Sequence, residues 1–294
     1  MQPNPLLKKL GFSDKDRVAI IHADDVGMCQ ASIQAFAELD AFGLVTCGAV
    51  MVPCPWFPKA AEYAREHPQT DLGLHVTLTS EWQCYRWGPV STRDPRSGLL
   101  DAEGFFPRRS EEVQKQASPR SVQREIWAQL ERARQFGIRL THIDTHMGSV
   151  VHPRFLQAYV DLARKNHLPA MILRMDEPAL LSMGLNPVTA KLGARLIQQL
   201  EASGFPMADA IFQMPLDQPE NRLDIAKAAF AALKPGITHF VIHPAVDTPE
   251  LRAITPDWRG RVADYLTFQR EELRDYIRQI GVQVIGYRTI QALM

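Results

Sequence analysis

The chain is long enough for one large α/β domain, and its charge gives no sign of a polyanionic partner. It has 294 residues, of which 46% are hydrophobic, so a single barrel-sized domain can bury a substantial core. Lysine and arginine together number 33, as do aspartate and glutamate, so no basic excess indicates nucleic-acid binding. A small or neutral substrate fits this balance of charge better than a polyanion does.

The cysteines and the N-terminal residues predict a cytoplasmic location. The 4 cysteines form no CxxC pair, which favours reduced thiols in a reducing compartment. The N-terminal residues lack the apolar run of a signal peptide, and no stretch reaches the length of a membrane span. We therefore expect a cytoplasmic protein without a membrane partner.

Strand-like and helix-like segments alternate along the chain. Parallel strands joined by helical crossovers predict an α/β fold, an irregular TIM-like (β/α) barrel in which residues 1–294 form a single domain. The alternative is an open doubly wound sheet, although no GxGxxG follows the first strand. The predicted strands are 17–23, 45–52, 72–78, 140–146, 170–175, 208–214, 237–243 and 282–287.

Several helix ends carry sequence signals. Residues 30–42 place apolar side chains on one helical face, and Gly43 follows as a natural C′ residue. Ser118, followed by proline, predicts the N-cap of a further helix. A last long helix is predicted over about 259–280, with the inward side chains Val262, Leu266, Leu273 and Ile280.

One long segment interrupts the alternation. Residues 80–118 hold proline, glycine, arginine and tryptophan without steady periodicity, and such a long loop in a compact domain is usually functional or mobile. Trp82, Tyr85 and Trp87 lie near its start. Their aromatic faces suit sugar rings, and the alternative is a small local core that fixes the loop.

Titratable side chains gather at the carboxyl ends of the predicted strands. In a parallel barrel those ends meet at one face, where active sites form. Asp24 and Asp25 end the first strand, and adjacent carboxylates need a positive charge to neutralise them. A divalent metal would do so, with one carboxylate as ligand and its neighbour as general base. The alternative is a helix N-cap.

Two later strands offer imidazoles. His75 lies within the third strand, where a hydrogen-bonded core histidine is the simpler interpretation of this residue alone. His142, Asp144 and His146 share one face of the fourth strand, because side chains repeat every two residues. We favour His146 as a metal ligand because it lies nearest the carboxyl end, with His142 structural and Asp144 orienting a ligand.

One carboxylate and two imidazoles predict a catalytic divalent metal, zinc or magnesium. Such a site polarises a carbonyl and lowers the pKa of water towards ~7, and Asp24 would accept the proton of that water. His243, at the end of the seventh strand, is a candidate acid for a leaving amine, or else a histidine in a turn. Arg174, at the end of the fifth strand, is a candidate to hold the base or bind substrate, or else a surface charge.

Three segments resemble motifs of the YdjC-like carbohydrate deacetylase family, which includes chitooligosaccharide and hopanoid-linked members. Residues 22–27 (HADDVG) resemble its N-x-DD-F/V-G start, 72–78 (LGLHVTL) its GLHxxL segment, and 141–146 (THIDTH) its THIDSH segment. They occur in the family's order, and the similarity runs over nearly the whole chain. Many members continue with HQHVH, where this chain has Gly148 and Val150, so the resemblance does not by itself imply chitooligosaccharide specificity.

The resemblance implies an irregular TIM-like barrel that hydrolyses N-acetyl groups of amino sugars or short oligosaccharides. It implies a divalent metal on Asp25, His75 and His146, Asp24 as the base, and His243 as the family's late histidine. The alternatives are a metal-dependent hydrolase or lyase of a different carbohydrate and a non-catalytic sugar-binding barrel. We expect a small-molecule carbohydrate partner and no nucleic acid, and exposed barrel helices are compatible with a homodimer.

Overall fold

The strands form one parallel sheet that curls into an irregular barrel. The computed structural model describes residues 2–294. The seven strands of these residues are β1 Arg17–Val26, β2 Cys47–Val50, β3 Leu72–Val76, β4 Ile143–Thr145, β5 Ala210–Gln213, β6 Gly236–Ile242 and β7 Val282–Val284. Their order in the sheet is β4-β3-β2-β1-β6-β5, and β7 pairs with the start of β1. All of the paired strands are parallel. The predicted α/β class and TIM-like curvature are therefore confirmed.

The strand predicted over 170–175 is reduced to two isolated bridges. Ala170 pairs with Ile143 in β4, and Leu173 pairs with Ala208, just before β5. The segment thus links the two outer strands of the sheet, β4 and β5. Prolines 169 and 206 flank the bridged residues and have no N–H to donate, which limits the ladder to these two points.

Helices pack around the sheet, and the predicted caps at two of them are observed. Gly43 follows its helix with φ 81°, and the Ser118 side chain accepts a hydrogen bond from Ser121 N. None of the helices in the described part of the chain has the length and apolar character needed to cross a membrane. The helices are α1 Pro5–Lys9, α2 Gln30–Phe42, α3 Phe57–Glu66, α4 Ser110–Gln116, α5 Pro119–Gln135, α6 Leu156–Lys165, α7 Glu177–Ser182, α8 Pro187–Ala202, α9 Arg222–Ala231, α10 Pro249–Ile254, α11 Trp258–Phe268, α12 Glu271–Gln279 and α13 Tyr287–Gln291.

The long helix predicted over 259–280 is wrong as a single element, because α11 and α12 are separate helices. Leu266, predicted to face inward, is 52% exposed. The buried face of α11 instead carries Arg261 and Asp264. The prediction of an inward apolar stripe fails because this helix packs charged side chains against the ends of the strands.

The segment over 80–118 is ordered by its own aromatic residues. Trp82 and Trp87 are buried, and Trp87 Nε1 donates a 2.7 Å hydrogen bond to the Thr79 carbonyl. The Tyr85 hydroxyl donates a 2.6 Å hydrogen bond to the Met28 carbonyl, next to the end of β1. The local-core interpretation therefore describes these three aromatics, and they hold the segment beside the carboxyl ends of the strands.

Candidate metal and catalytic site

A bulge in β1 brings two adjacent aspartates to the same cavity. Between Ala23 and Val26, β1 advances three residues while β2 advances two, since Ala23 pairs with Gly48 and Val26 with Val50. Asp25 has φ 61°, a left-handed conformation that aspartate tolerates better than most residues. In a regular strand the two neighbours would point to opposite faces. With the extra residue, both line one cavity.

The donor atoms of Asp25, His75 and His146 converge. One donor from each lies within 4.8 Å of the others. Asp25 Oδ1 is 3.4 Å from His75 Nε2 and 3.2 Å from His146 Nδ1. This oxygen is buried and has no hydrogen-bond partner among residues 2–294. An unpartnered carboxylate oxygen facing two imidazole nitrogens fits a divalent cation of the zinc type.

Three further charged side chains contact the outward-facing atoms of this cluster. Arg261 Nη1 donates a 2.7 Å hydrogen bond to Asp25 Oδ2. Asp144 Oδ2 lies 3.3 Å from His75 Nδ1, and Glu81 Oε2 lies 3.1 Å from His146 Nε2. Each contact occupies one polar atom of a side chain in the cluster and leaves its other polar atom facing the cluster, namely Oδ1 of Asp25, Nε2 of His75 and Nδ1 of His146. Metal ligands in proteins are commonly oriented by contacts of this kind.

The cluster has strongly shifted pKa values. Burial lowers the pKa of His146, but Glu81 and Asp25 outweigh burial and raise it to about 9. Burial also opposes the charged form of His75, yet Asp144 and Asp24 raise its pKa well above the usual value. The imidazoles thus hold protons that balance the surrounding carboxylates. A bound cation would replace these protons, because a ligating imidazole must be neutral.

Asp24 lies beside the cluster and is held at one oxygen. Its Oδ1 is 2.6 Å from His22 Nδ1, while Oδ2 lies 3.7 Å from His75 Nε2 and 3.8 Å from His243 Nε2. Burial, and then the Asp144 carboxylate, raise the pKa of Asp24 to about 6. A carboxyl group with this pKa is suited to accept a proton near neutral pH.

His243 follows β6, is buried, and lies beside Oδ2 of Asp24, the oxygen that His22 does not contact. Its backbone N–H donates a 2.9 Å hydrogen bond to Asp264 Oδ2, and Asp264 Oδ1 accepts a 2.8 Å hydrogen bond from Arg222 Nε. Burial lowers the pKa of His243, so its imidazole is neutral at neutral pH. The Asp264–Arg222 pair therefore fixes the backbone that carries this histidine.

The site opens into a cavity of about 400 Å³. This volume lies in the usual range for small-molecule sites. Trp82 forms part of the wall, with its ring centroid 5.5 Å from the Arg261 guanidinium. The titratable side chains that line the cavity are Asp24, Asp25, Glu81, Asp144, His146, His239, His243, Asp257 and Arg261.

Arg174 does not lie at this cavity, so the prediction that it holds the base or substrate is wrong. Its guanidinium donates hydrogen bonds of 2.9 Å to Glu201 and 2.7 Å to Asp209. Asp209 also accepts from the backbone N–H of Ile237, near the start of β6. The register explains the error: Leu173 pairs with Ala208, which precedes β5, so Arg174 lies at the amino ends of the strands.

The arginine that does contact the site is Arg261, which was not among the predicted site residues. Arg261 pairs with Asp25 and, through Nε, with Asp257 Oδ1 at 2.8 Å. Positions 257, 261 and 264 recur at helical spacing, so a charged stripe on α11 was a readable signal. Glu81 lies in the irregular segment and had no periodic signal.

Fold and site together define a parallel α/β barrel with a histidine–carboxylate centre at the carboxyl ends of its strands. Residues 18–279 match the model of the family described as YdjC-like protein. The chain therefore belongs to the YdjC-like family.

Similar proteins cover almost the whole chain. A carbohydrate deacetylase of Thermus thermophilus is 34% identical over 269 residues, which are 92% of each chain. A carbohydrate deacetylase of Thermoanaerobacter pseudethanolicus is 22% identical and covers 92% of this chain and 98% of its own. A solved Enterococcus faecalis structure, named for cellobiose-phosphate cleavage, superposes with TM-score 0.76 at 21% identity, over 94% of this chain and 99% of its own. That likeness shows the fold alone.

Proposed function

We propose that this protein is a metal-dependent hydrolase that removes an N-acetyl group from an amino sugar or short oligosaccharide. The observation that carries the proposal is the unpartnered Oδ1 of Asp25, which faces His75 and His146 beside a second carboxylate, Asp24. Relatives that bear the name carbohydrate deacetylase support the substrate class.

Each side chain then has one task. Asp25, His75 and His146 hold the metal, which when bound supplies positive charge that polarises an amide carbonyl and acidifies water. Asp24 accepts a proton from the attacking water, since its pKa of about 6 leaves it ionised at neutral pH. Arg261 is engaged by Asp25 and Asp257, so it orients a ligand rather than binding substrate.

Amide cleavage also needs a proton for the leaving amine. His243 is neutral at neutral pH, so it must first gain the proton that it gives away. Its Nε2 lies 3.8 Å from Asp24 Oδ2, so the proton taken from water by Asp24 has a short path to His243. One proton thus passes from water to the sugar amine as the C–N bond breaks and acetate forms.

The test combines metal analysis with acetate detection over a panel of N-acetyl sugars. We expect the purified protein to bind one divalent metal and to release acetate from at least one sugar. Asp24→Asn should keep the metal and lose about 10²- to 10⁴-fold in turnover. Asp247→Asn is the matched control, because Asp247 pairs with Arg252 at the surface.

Two results would contradict the proposal. Normal turnover by Asp24→Asn would remove the assigned base. Saturable sugar binding without acetate, whichever metal is added, would indicate a binding protein instead.

A further inference from the structure

A continuous chain of buried polar groups runs from Asp24 into the barrel interior. His22 Nδ1 lies 2.6 Å from Asp24 Oδ1, and His22 Nε2 lies 2.8 Å from His142 Nε2. His142 Nδ1 is 3.0 Å from Thr141 Oγ1, which donates a hydrogen bond to Asp71 Oδ1. All five residues are buried. The chain therefore connects the candidate base to a second carboxylate at the amino end of β3.

The two histidine contacts have a fixed direction when Asp24 is ionised, whereas Thr141 donates the other way, to Asp71. Burial lowers the pKa of His22 to about 3, so its ring carries a single proton. Asp24 Oδ1 needs a donor, so this proton lies on Nδ1, and Nε2 must accept from His142 Nε2–H. His142 Nδ1 in turn lies 3.6 Å from Asp71 Oδ1. Both histidine contacts therefore donate towards Asp24.

The backbone is shaped around this chain. A Cβ at Gly73 would collide with the His142 ring, and a Cβ at Gly286 would collide with the Asp71 carboxylate. The His142 ring also stacks on Tyr287, with centroids 4.1 Å apart. The Asp71 carboxylate is anchored further by a 2.6 Å hydrogen bond from the Arg288 backbone N–H. The fold thus fixes the His142 and Tyr287 rings and the Asp71 carboxylate.

We propose that His22 is a positioning residue for Asp24, and that the hydrogen-bonded chain through His142 and Asp71 holds His22 in place. The proposal rests on the proposed function, because it concerns Asp24 as the base. Holding Oδ1 of Asp24 on His22 keeps this carboxylate away from the cation that Asp25 binds. It also leaves Oδ2 beside His243, where a proton is exchanged.

The first test removes both ring nitrogens of His22 and then restores a polar group at one end at a time. His22→Leu should lower kcat by about 10- to 100-fold, with KM and metal content unchanged. His22→Asn places an amide near the Nδ1 position and should recover most of the lost kcat. His22→Gln places its amide near the Nε2 position, contacts His142 instead, and should not recover it.

The second test perturbs the hydrogen-bonded chain at His142, away from Asp24. Gly73→Ala displaces the His142 ring without touching Asp24, and should lower kcat by about tenfold with unchanged KM. Val122→Ala is the control, since Val122 is buried in α5 and is not part of the hydrogen-bonded chain. Truncation of this side chain should lower the melting temperature alone. Equal kcat in the two variants would overturn the proposed anchoring.

A spectroscopic readout reports the His22 contact independently of turnover. The Nδ1–H of His22 should give a slowly exchanging, low-field ring signal in a ¹H–¹⁵N spectrum, which disappears in His22→Leu. Wild-type kcat in His22→Leu would overturn the positioning role alone. Wild-type protein that releases no acetate from any sugar would overturn the proposed function, and the positioning role with it.

Discussion

Arg261 Nη1 donates a 2.7 Å hydrogen bond to Oδ2 of Asp25, which leaves only Oδ1 of that carboxylate to face His75 and His146. The two residues are 236 positions apart in the chain, and α11 brings them together at the end of β1. The pair thus decides which oxygen of Asp25 is available to a cation.

Arg261→Met should weaken metal binding by about 10- to 100-fold, because Asp25 then loses the contact that fixes its orientation. Titration calorimetry with zinc measures the affinity of the two proteins. Arg259→Met is the matched control, since Arg259 is exposed on the same helix and should leave the affinity unchanged. An unchanged affinity in Arg261→Met would contradict the orienting role.

His243→Gln should lower turnover of N-acetyl sugars by about 10²- to 10⁴-fold, because the leaving amine loses its proton donor. An aryl acetate has a leaving group that departs without a proton, so the same variant should retain hydrolysis of that ester. Asp24→Asn should lose both activities, since the water must be deprotonated in each case. Equal losses on amide and ester in His243→Gln would argue against its role as the acid.

Metal binding by the metal-free protein at pH 7 should release about two protons. The pKa of His146 is raised to about 9 and that of His75 is raised well above its usual value, so both rings are protonated at pH 7. Ligation requires the neutral rings, and the affinity should therefore rise with pH up to about 9. Calorimetry in buffers of different ionisation enthalpy counts the protons. His146→Ala should release fewer protons than the wild type.

Arg174→Met should reduce the free energy of unfolding by about 3 kcal/mol, because it leaves two partly buried carboxylates without their cation. Those carboxylates are Glu201 and Asp209. Turnover at a temperature where the variant is folded should stay within about twofold of wild type, since Arg174 lies at the other end of the strands. Chemical denaturation and acetate release measure the two effects. A large loss of kcat without a loss of stability would contradict this placement.

Features that depend on a few neighbouring residues can be predicted from the sequence. Strand ends were readable because apolar runs stop at charged residues, and this placed Asp24, His75 and His146 at the same end of the barrel. Helix caps such as Gly43 and Ser118 were readable for a similar reason, since each depends on a few neighbouring residues.

Features that depend on contacts between distant segments cannot be predicted from the sequence in this way. Arg174 follows an apolar run much as His243 does, and only the pairing of Leu173 with Ala208 shows that its segment is displaced. The burial of Arg261 depends on Asp25 and Asp257, so an apolar pattern on α11 could not reveal it. The extra residue in β1 was likewise invisible until its pairing with β2 was known.

Position 25 has two requirements: a carboxylate side chain and a left-handed backbone conformation. Bulky or β-branched replacements there would add strain on the order of 1–3 kcal/mol to the loss of the carboxylate. Asparagine tolerates φ 61° and removes only the charge, whereas valine would also distort the link between β1 and the helix that follows. Replacement of Asp25 by asparagine therefore removes the carboxylate alone, whereas replacement by valine changes the carboxylate and the backbone together.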